Sequence, residues 1–253
     1  MQIIMLGTGS STGTPVIGCG CPTCTSTDPR NQRTRCSAAV LTDTGQVILI
    51  DTSPDLRLQA LREGLVRVDA VLYTHNHADH MNGIDDLRNF CYLQKQAIPV
   101  FGNEATINSV QQRFAYAFAP VTGYWNKPVL SAHIVAEEFE IEGVKITPIP
   151  ILHGNQEILG YRINNIAYIT DVSDINEDSL SLLMDLDVLL LDCLHERPHT
   201  THFHFDKSLE YAEKIGARAT YFIHMTHQME HSNLVSRLPA NVYAGYDGLH
   251  LNL

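Results

Sequence analysis

Thr74-His75-Asn76-His77-Ala78-Asp79-His80 is the stretch that decides the fold of this chain. It holds three histidines and an aspartate within six positions, directly after the apolar run 68–73, which is typical of a buried strand. Neutral imidazoles bind Zn, Mn or Fe, and a carboxylate suits the harder of these ions. The alternative is a histidine-rich surface turn, but ligand-type side chains recur downstream. We therefore predict a metal site at the end of a strand.

Three further ligand-type residues follow apolar, strand-like runs: His153 after 144–152, Asp171 after 166–170 and His224 after 219–223. A single histidine after a strand is commonly an ordinary core or surface residue. Three such positions beside an intact H-x-H-x-D-H motif instead favour ligands of one site. Because several strands end in metal ligands, we expect these ends to lie together at one edge of a sheet. The loops at that edge would carry the residues of the site.

Composition limits the classes of function. The chain has 253 residues and a net charge of −11, from 17 basic and 28 acidic side chains. This balance argues against an extended nucleic-acid partner, which needs clustered Lys and Arg. A small anionic substrate stays open, because two divalent ions would make the site locally positive. No apolar run approaches twenty residues, and the N-terminus resembles a first strand more than a signal peptide, so we expect a cytoplasmic protein without a membrane partner.

Six cysteines are present, and their spacing favours metal over disulfides. Cys19, Cys21 and Cys24 lie in a loop rich in Gly, Pro and Thr, and no export signal indicates an oxidising compartment. Three thiolates this close can share one Zn²⁺, with a fourth ligand completing the tetrahedron. The alternative is three reduced cysteines in a loop. Cys36, Cys91 and Cys193 lack partners at metal spacing and are predicted to be buried thiols.

Strand-like and helix-like runs alternate along the chain, without a linker or an internal repeat. The predicted strands are 1–7, 36–42, 46–51, 69–73, 98–101, 144–151, 158–163, 166–170, 187–192, 219–223 and 249–252. The predicted helices are 54–63, 84–95, 104–117, 177–185, 206–216 and 228–237. This order suits an α/β chain of two mixed sheets packed face to face, with helices outside.

The chain resembles the metallo-β-lactamase superfamily, and within it the PhnP-type phosphodiesterases of phosphonate breakdown. Besides the H-x-H-x-D-H motif and its three partners, the matching pieces extend from end to end of the chain. They are Leu6-Gly7-Thr8-Gly9-Ser10, Gly18 to Cys24, Arg35-Cys36-Ser37-Ala38, Ile50-Asp51, Asp192-Cys193, His204-Phe205-Asp206, His224-Met225-Thr226-His227 and Gly245-Tyr246-Asp247-Gly248.

The resemblance implies a four-layer αβ/βα sandwich formed by a single domain over 1–253, with a zinc-binding loop inserted at about 8–35. It implies two divalent metals, Mn or Zn, in the active site. The first would be held by His75, His77 and His153, the second by Asp79, His80 and His224, and Asp171 would bridge them. It also makes His227 the fourth ligand of a structural Zn with Cys19, Cys21 and Cys24, which would clamp the loop against the C-terminal part of the chain.

Two residues are expected to act in catalysis, Asp79 as a metal ligand and His204 as the general acid for the leaving alkoxide. His204 matches the family histidine in an H-x-D setting. His202 is the competitor, because alternate residues of an extended segment point the same way. We favour His204. Asp51 is expected to orient a metal-binding histidine.

The function implied is a metal-dependent phosphodiesterase that hydrolyses a small cyclic or nucleotide-like phosphodiester, such as phosphoribosyl cyclic phosphate, with hydroxide generated by the two metals. Two enzymatic alternatives are a thioester hydrolase and an RNA nuclease. A non-enzymatic alternative is a metal-binding accessory protein in cofactor biosynthesis, which would tolerate loss of a ligand, whereas all seven are present. The oligomeric state stays open, with a homodimer among the alternatives.

The segment 113–126 is rich in aromatic residues and holds the only Trp. It suits either a platform for a base or sugar, or a helix that packs its aromatic face against the core. The resemblance to PhnP-type enzymes is weakest here.

Overall fold

The fold consists of two seven-stranded sheets and the helices that cover them, in a computed structural model that describes residues 1–120 and 126–253. The first sheet contains β1 (Gln2–Gly7), β2 (Ser37–Leu41), β3 (Val47–Ile50), β4 (Ala70–Leu72), β5 (Ile98–Gly102), β6 (Leu130–Ile134) and β14 (Leu249–Asn252). The second contains β7 (Phe139–Ile141), β8 (Val144–His153), β9 (Gln156–Ile163), β10 (Ile166–Ile169), β11 (Val188–Asp192), β12 (Ala219–Ile223) and β13 (Val242–Ala244).

The helices connect successive strands. They are α1 (Leu56–Glu63), α2 (Ala78–Met81), α3 (Leu87–Gln94), α4 (Glu104–Arg113), α5 (Ala115–Phe118), α6 (Glu177–Ser181), α7 (Phe205–Ile215) and α8 (His231–Val235), with 3₁₀ turns at Pro29–Asn31 and Ile84–Asp86. Asn103 and Asn176 begin α4 and α6 by accepting backbone N–H bonds from the first turn, and Gly64 and Gly216 end α1 and α7 in the left-handed conformation.

Both sheets are mixed. In the first, ordered β14-β1-β2-β3-β4-β5-β6, the strands from β14 to β3 pair antiparallel and those from β3 to β6 pair parallel. In the second, ordered β13-β12-β11-β10-β9-β8-β7, the strands from β7 to β10 are antiparallel and those from β10 to β13 are parallel. The parallel halves need crossover connections, which the helices provide.

Three clusters of buried side chains define the layers. One draws on both sheets, for example Met5 and Ile48 from the first and Tyr168 and Leu190 from the second, so the sheets pack face to face. A second cluster joins the first sheet to α1, α3 and α4, and a third joins the second sheet to α6, α7 and α8. Alternate residues of β1 enter different clusters, as the two-residue period of a strand requires. The predicted sandwich of two mixed sheets with helices outside is confirmed.

Every predicted strand and helix has a counterpart within a few residues of its predicted bounds. The turns at Asp43-Thr44-Gly45 and Asn164-Asn165 join antiparallel pairs of strands. The prediction omitted β6, β7 and β13, which are three of the four edge strands, and the short helix α2. Edge strands are partly solvated, so their sequences carry a weaker apolar pattern.

Part of the aromatic segment 113–126, including Trp125, lies outside the described residues. In the described part, Arg113 at the end of α4 donates to the Asn76 carbonyl at 3.0 Å and to the Asn82 side chain at 2.9 Å. Tyr116 donates to Asp85 at 2.7 Å. This end of the segment therefore packs against the loop that carries the histidine motif. Among the described residues, no helix is long and apolar enough to cross a membrane.

Candidate metal centre

The histidine motif and its three partners meet where their strands end. His75 comes three residues after β4, His153 is the last residue of β8, Asp171 comes two residues after β10, and His224 follows β12 directly. Asp171 and His224 have left-handed backbones, with φ of 55° and 58°, and so does Asp51 after β3, at 62°. Such angles are uncommon outside glycine and cluster at functional sites. Here they turn side chains from separate strands towards one point.

Three overlapping groups of ligand atoms form there, each with all its atoms within 4.8 Å of one another, and the third consists of Asp171, His202 and His224. The first is His75, His77, His153 and Asp171, and the second is Asp79, His80 and His224. Asp171 also reaches the second group, since its Oδ2 lies 3.2 Å from His80 Nε2 and 3.4 Å from His224 Nε2. Its Oδ1 lies 3.9 Å from His75 Nε2. The carboxylate therefore lies between the groups, where a bridging ligand must be.

Buried imidazole nitrogens without partners show that the residues fit metal ions. Nε2 of His75, His80 and His224 is buried and has no hydrogen-bond partner among the described residues. An unpaired buried polar atom is costly, so each such atom in a native structure requires an explanation. Three such atoms beside Asp171 have the chemistry and direction of ligands to a divalent cation.

In two of the histidines, His80 and His153, the opposite nitrogen is held by a protein group, as is typical of metal-binding histidines. His80 Nδ1 lies 2.7 Å from Asp51 Oδ2, and His153 Nδ1 lies 2.8 Å from the Thr201 carbonyl oxygen. Asp51 is itself held by the Thr74 backbone N–H and hydroxyl, each at 2.8 Å. These bonds set which nitrogen of each ring faces the centre. The geometry gives Asp51 the orienting contact that the sequence predicted.

Electrostatics at the centre favour a cation. Burial lowers the pKa of His75 well below its ordinary value, so its imidazole is neutral and can act as a ligand. Burial also opposes a charge on His80, but Asp171, Asp51 and Asp79 outweigh it and hold the pKa of His80 well above the ordinary value. Three carboxylates surround one imidazole, and their negative charge needs to be balanced. Bound divalent ions would supply this positive charge in place of a proton.

The cysteine cluster forms a second, separate site. The Sγ atoms of Cys19, Cys21 and Cys24 lie 3.4, 3.4 and 3.5 Å from His227 Nδ1. A tetrahedral zinc with Zn–S of about 2.3 Å and Zn–N of about 2.1 Å separates sulfur and nitrogen ligands by about 3.6 Å. The Cys24 backbone N–H, assisted by His227, lowers the pKa of Cys21 to about 6, so a thiolate is accessible near neutral pH. The four residues fit the Cys₃His zinc site that the resemblance implied.

The loop that carries these cysteines is tied to the turn after β12. The Arg33 guanidinium is fully buried and donates to the carbonyl oxygens of Thr226 and Met229 at 3.2 and 2.6 Å. Asn31 donates to Glu230 at 3.0 Å and accepts from the His231 backbone N–H at 2.8 Å. The same turn holds His224 and His227, so the two metal sites share a support. The remaining thiols, of Cys36, Cys91 and Cys193, are free and buried, as predicted.

The structure separates the two candidates for the general acid. His202 Nε2 lies 3.8 Å from Asp171 Oδ1, and its ring stacks on that of His224 with centroids 5.0 Å apart. His204 instead precedes the first residue of α7, and its side chain contacts none of the ligands among the described residues. Of the two, only His202 lies beside the ligand groups among the described residues. The assignment of the general acid to His204 stays a prediction. The position of His204 at a helix start could have been inferred from the helical pattern that follows it.

Asp192, at the end of β11, is a functional candidate to which the sequence reasoning assigned no role. Its Oδ2 lies 3.1 Å from His202 Nδ1 and accepts the Val172 backbone N–H at 3.1 Å. Its Oδ1 is buried, has no hydrogen-bond partner among the described residues, and lies 3.6 Å from His224 Nδ1. One buried carboxylate therefore faces both His202 and His224 from behind. The aspartate directly after an apolar strand run was the available signal.

A family model described as "Beta-lactamase superfamily domain" matches residues 46–225. A solved structure described as a new diphosphatase from the PhnP family is 41% identical, with a TM-score of 0.92, and the match covers 100% of this chain and 97% of that one. The chain belongs to the metallo-β-lactamase superfamily, in its PhnP family. Proteins of this fold bind zinc or similar divalent metals, and the His/Asp cluster of this chain fits such ions.

Two other relatives differ in their sequence identity to this PhnP-family chain and in the share of their own length that matches it. The octanoyltransferase of Porphyromonas gingivalis is 36% identical over 98% of the chain, but the chain spans only 51% of that protein's length. Zn²⁺-bound PqqB from Methylobacterium extorquens is 20% identical over the whole of both chains, with a TM-score of 0.82. That likeness shows the fold alone. The family is thus established, whereas its members carry different described activities.

We expect three metal ions per chain, two at the His/Asp centre and one zinc at the Cys₃His site. Thiolate ligands hold zinc more firmly than a partly open centre does, so mild chelation should leave about one zinc per chain. Elemental analysis before and after chelation measures both numbers. A protein that never holds more than one metal would contradict this assignment.

Substitutions at Asp171 and at Cys21 should affect activity and stability differently, because the two residues belong to different sites. Asp171→Ala should abolish turnover and lower the metal content by up to two ions, because this carboxylate lies between both ligand groups, while the cysteine site keeps its zinc. Cys21→Ser should lower the midpoint of thermal unfolding by roughly 5–10 °C, because a structural zinc contributes directly to folding. Calorimetry and elemental analysis of both variants test the division, which equal losses of stability would refute.

Proposed function

We propose that the chain is a metal-dependent phosphodiesterase acting on a small cyclic or nucleotide-like phosphodiester, with phosphoribosyl cyclic phosphate as the leading candidate. The observation that carries the proposal is the pair of ligand groups around Asp171 with a protonatable His202 facing the same carboxylate. The PhnP-family relative at 41% identity is described as a diphosphatase, which supports phosphoric esters and anhydrides as the substrate class.

The roles of the ligands follow from the two groups. His75, His77 and His153 would hold one ion, Asp79, His80 and His224 the other, and Asp171 would touch both. When bound, two divalent ions lower the pKa of a shared water and neutralise charge on the phosphoryl oxygens. We infer Zn or Mn, because imidazole and carboxylate ligands in this mixture suit both.

His202 is proposed as the proton donor to the leaving oxygen, in place of His204. Burial opposes the protonated form of His202, but Asp192 outweighs it and raises the pKa of His202 to about 9. Asp192 therefore favours the protonated imidazole, which has a proton to give. Asp192 also fixes the ring through Nδ1, which leaves Nε2 directed at the centre, 3.8 Å from Asp171 Oδ1. A leaving alkoxide needs this proton because it is strongly basic.

His202→Gln should slow hydrolysis of a ribose-like phosphodiester by about 10²- to 10⁴-fold, the usual contribution of general acid catalysis. The loss on bis-p-nitrophenyl phosphate should be much smaller, because p-nitrophenolate leaves without protonation. His204→Ala is the matched control and should leave both rates nearly unchanged. Metal content is measured for both variants. If His204→Ala discriminates between leaving groups and His202→Gln does not, the donor role belongs to His204.

The dependence of kcat on pH should also identify His202 as the proton donor. The donor must be protonated, so kcat on the ribose-like substrate should fall as pH rises through the pKa of His202. That fall should lie at or below about pH 9, because nearby divalent cations disfavour the charged imidazole. The limb should be absent with bis-p-nitrophenyl phosphate and in His202→Gln. If kcat falls equally with rising pH for both substrates, the titrating group is a residue other than His202.

A thioester hydrolase is the second candidate, because the P. gingivalis octanoyltransferase matches nearly the whole chain. An RNA substrate is disfavoured by the net charge of −11, and an accessory role by the retention of all seven ligands. The deciding experiment is a panel of a cyclic ribose phosphate, 2′,3′-cyclic nucleotides, octanoyl thioesters and a short RNA, tested with Zn- and Mn-loaded protein. Turnover of the thioester alone would replace the phosphodiesterase proposal.

A further inference from the structure

Exposed apolar side chains are concentrated on two neighbouring helices, α1 and α3. Among the described residues, five of the fourteen exposed large hydrophobic side chains lie on or just after these helices, and each is between 56 and 70% exposed. Monomeric proteins rarely expose contiguous apolar patches of more than a few hundred Å². This cluster, which we call the α1–α3 face, consists of Leu58, Leu61, Val66, Tyr92 and Leu93.

The α1–α3 face surrounds a groove of about 220 Å³ between the two helices. Leu61, Val66 and Leu93 line this groove together with the buried Phe90, so side chains from both helices share one surface. Leu58 precedes Leu61 by three positions and therefore lies one turn away on the same side of α1. The exposed apolar side chains thus form a continuous surface and are not scattered singly.

The two helices are fixed in place without any partner. At the end of α3, the Gln94 side chain accepts the Val68 backbone N–H at 2.8 Å and donates to the Val68 carbonyl oxygen at 3.0 Å. Gly83, which precedes α3, packs on the turn before α1 so closely that the Ser53 carbonyl oxygen leaves no room for a Cβ. Because the groove is already formed, a partner would bind without first ordering it, which lowers the cost of association.

The charge of the α1–α3 face is balanced, although the whole chain carries −11. The segment 54–66 holds two basic and two acidic residues, and the segment 85–96 also holds two of each. Two copies of an acidic protein repel one another over most of their surface, so they approach closely only where each is locally neutral. A strongly basic partner would find no excess of acid here. The charge balance therefore favours a second copy of this chain as the occupant.

Two charged residues at opposite ends of α3 can pair between copies. Asp86 directly precedes α3 and Lys95 directly follows it. Among the described residues, the Asp86 carboxylate has no hydrogen-bond or salt-bridge partner, and the Lys95 ammonium contacts no acid and lies 3.7 Å from the centre of the Tyr92 ring. A two-fold axis perpendicular to α3 at its middle makes the two copies of the helix antiparallel. Each Asp86 then lies opposite a Lys95.

We propose that the α1–α3 face is the interface of a homodimer, occupied by a second copy of this chain. The exposed apolar side chains form its centre, and an Asp86–Lys95 pair closes it at each end. An apolar centre with a charged rim is the usual anatomy of a protein interface. The same residues contribute from both copies, so the contact closes on itself and does not extend into a filament. This inference is independent of the proposed phosphodiesterase function.

Sedimentation velocity of the metal-loaded protein at micromolar concentrations tests the proposal. The wild-type chain should sediment as a species of twice its own mass of 28.2 kDa. Leu61→Glu and Leu93→Glu each place a charge at the centre of the interface and should raise the Kd of the dimer by about 30-fold or more, as is typical of central interface residues. Both side chains are exposed in a single copy, so circular dichroism of each variant should show an unchanged fold.

Val235→Glu is the matched control, because Val235 is an exposed apolar residue of α8 that lies outside the α1–α3 face. It should leave the Kd of the dimer unchanged. A wild-type chain that stays monomeric over the whole concentration range would overturn the proposal and leave the groove to a different protein. A dimer that Val235→Glu weakens and that Leu61→Glu and Leu93→Glu do not weaken would place the interface elsewhere.

Charge reversal tests the arrangement of the two copies. Asp86→Lys and Lys95→Asp each bring like charges together at both ends of the interface and should each raise the Kd by about 3- to 10-fold, since an exposed pair contributes little and occurs twice. The double variant restores opposite charges and should recover most of the affinity. High salt should reduce the differences between these variants. A double variant that binds no better than either single variant would refute the antiparallel pairing of α3.

Discussion

The buried carboxylate of Asp171 is the constraint on which the site depends. It lies within 4 Å of nitrogens from His75, His80, His202 and His224, which come from both sheets and from the segment before α7. Burial opposes its charge, yet His224 and His80 outweigh that effect and hold its pKa well below the ordinary value. The sheets must therefore meet at an edge where four strand ends converge, and the left-handed backbone of Asp171 makes that convergence possible.

Two more buried aspartates lie behind the histidines of the centre. Asp51 faces His80, and Asp192 faces His202 and His224, so each of these imidazoles has a carboxylate behind it and the centre in front. Such partners set the ring orientation and make the imidazole a better ligand or proton donor. The charge of the centre is thus distributed over several buried acids, which bound cations would balance.

The loop of about 8–35 is joined to the turn that follows β12. Through Arg33 and Asn31 it is joined to the turn between His224 and His231, and through Cys19, Cys21 and Cys24 it converges on His227 of that turn. Its other face presents Ser11, Thr12 and Ile17 to a cavity beside Asp79. The cysteine cluster and the buried arginine therefore hold the position of this loop beside the metal-ligand cluster.

The sequence by itself determined an α/β chain of two mixed sheets, most of its strands and helices to within a few residues, and ligand-type residues at strand ends, because apolar periodicity and ligand spacing are local signals. The partition of those ligands between two metals and the role of His227 came from the family resemblance. The sequence did not reveal the edge strands β6, β7 and β13, whose patterns are weak. It also did not show how His202 and His204 are placed relative to the ligands, because two residues separated by one position look alike in an extended segment. Only the tertiary structure brings Asp192 of β11 against His202 and places His204 at the start of α7. The groove between α1 and α3 likewise depends on contacts between distant segments, which no local pattern encodes.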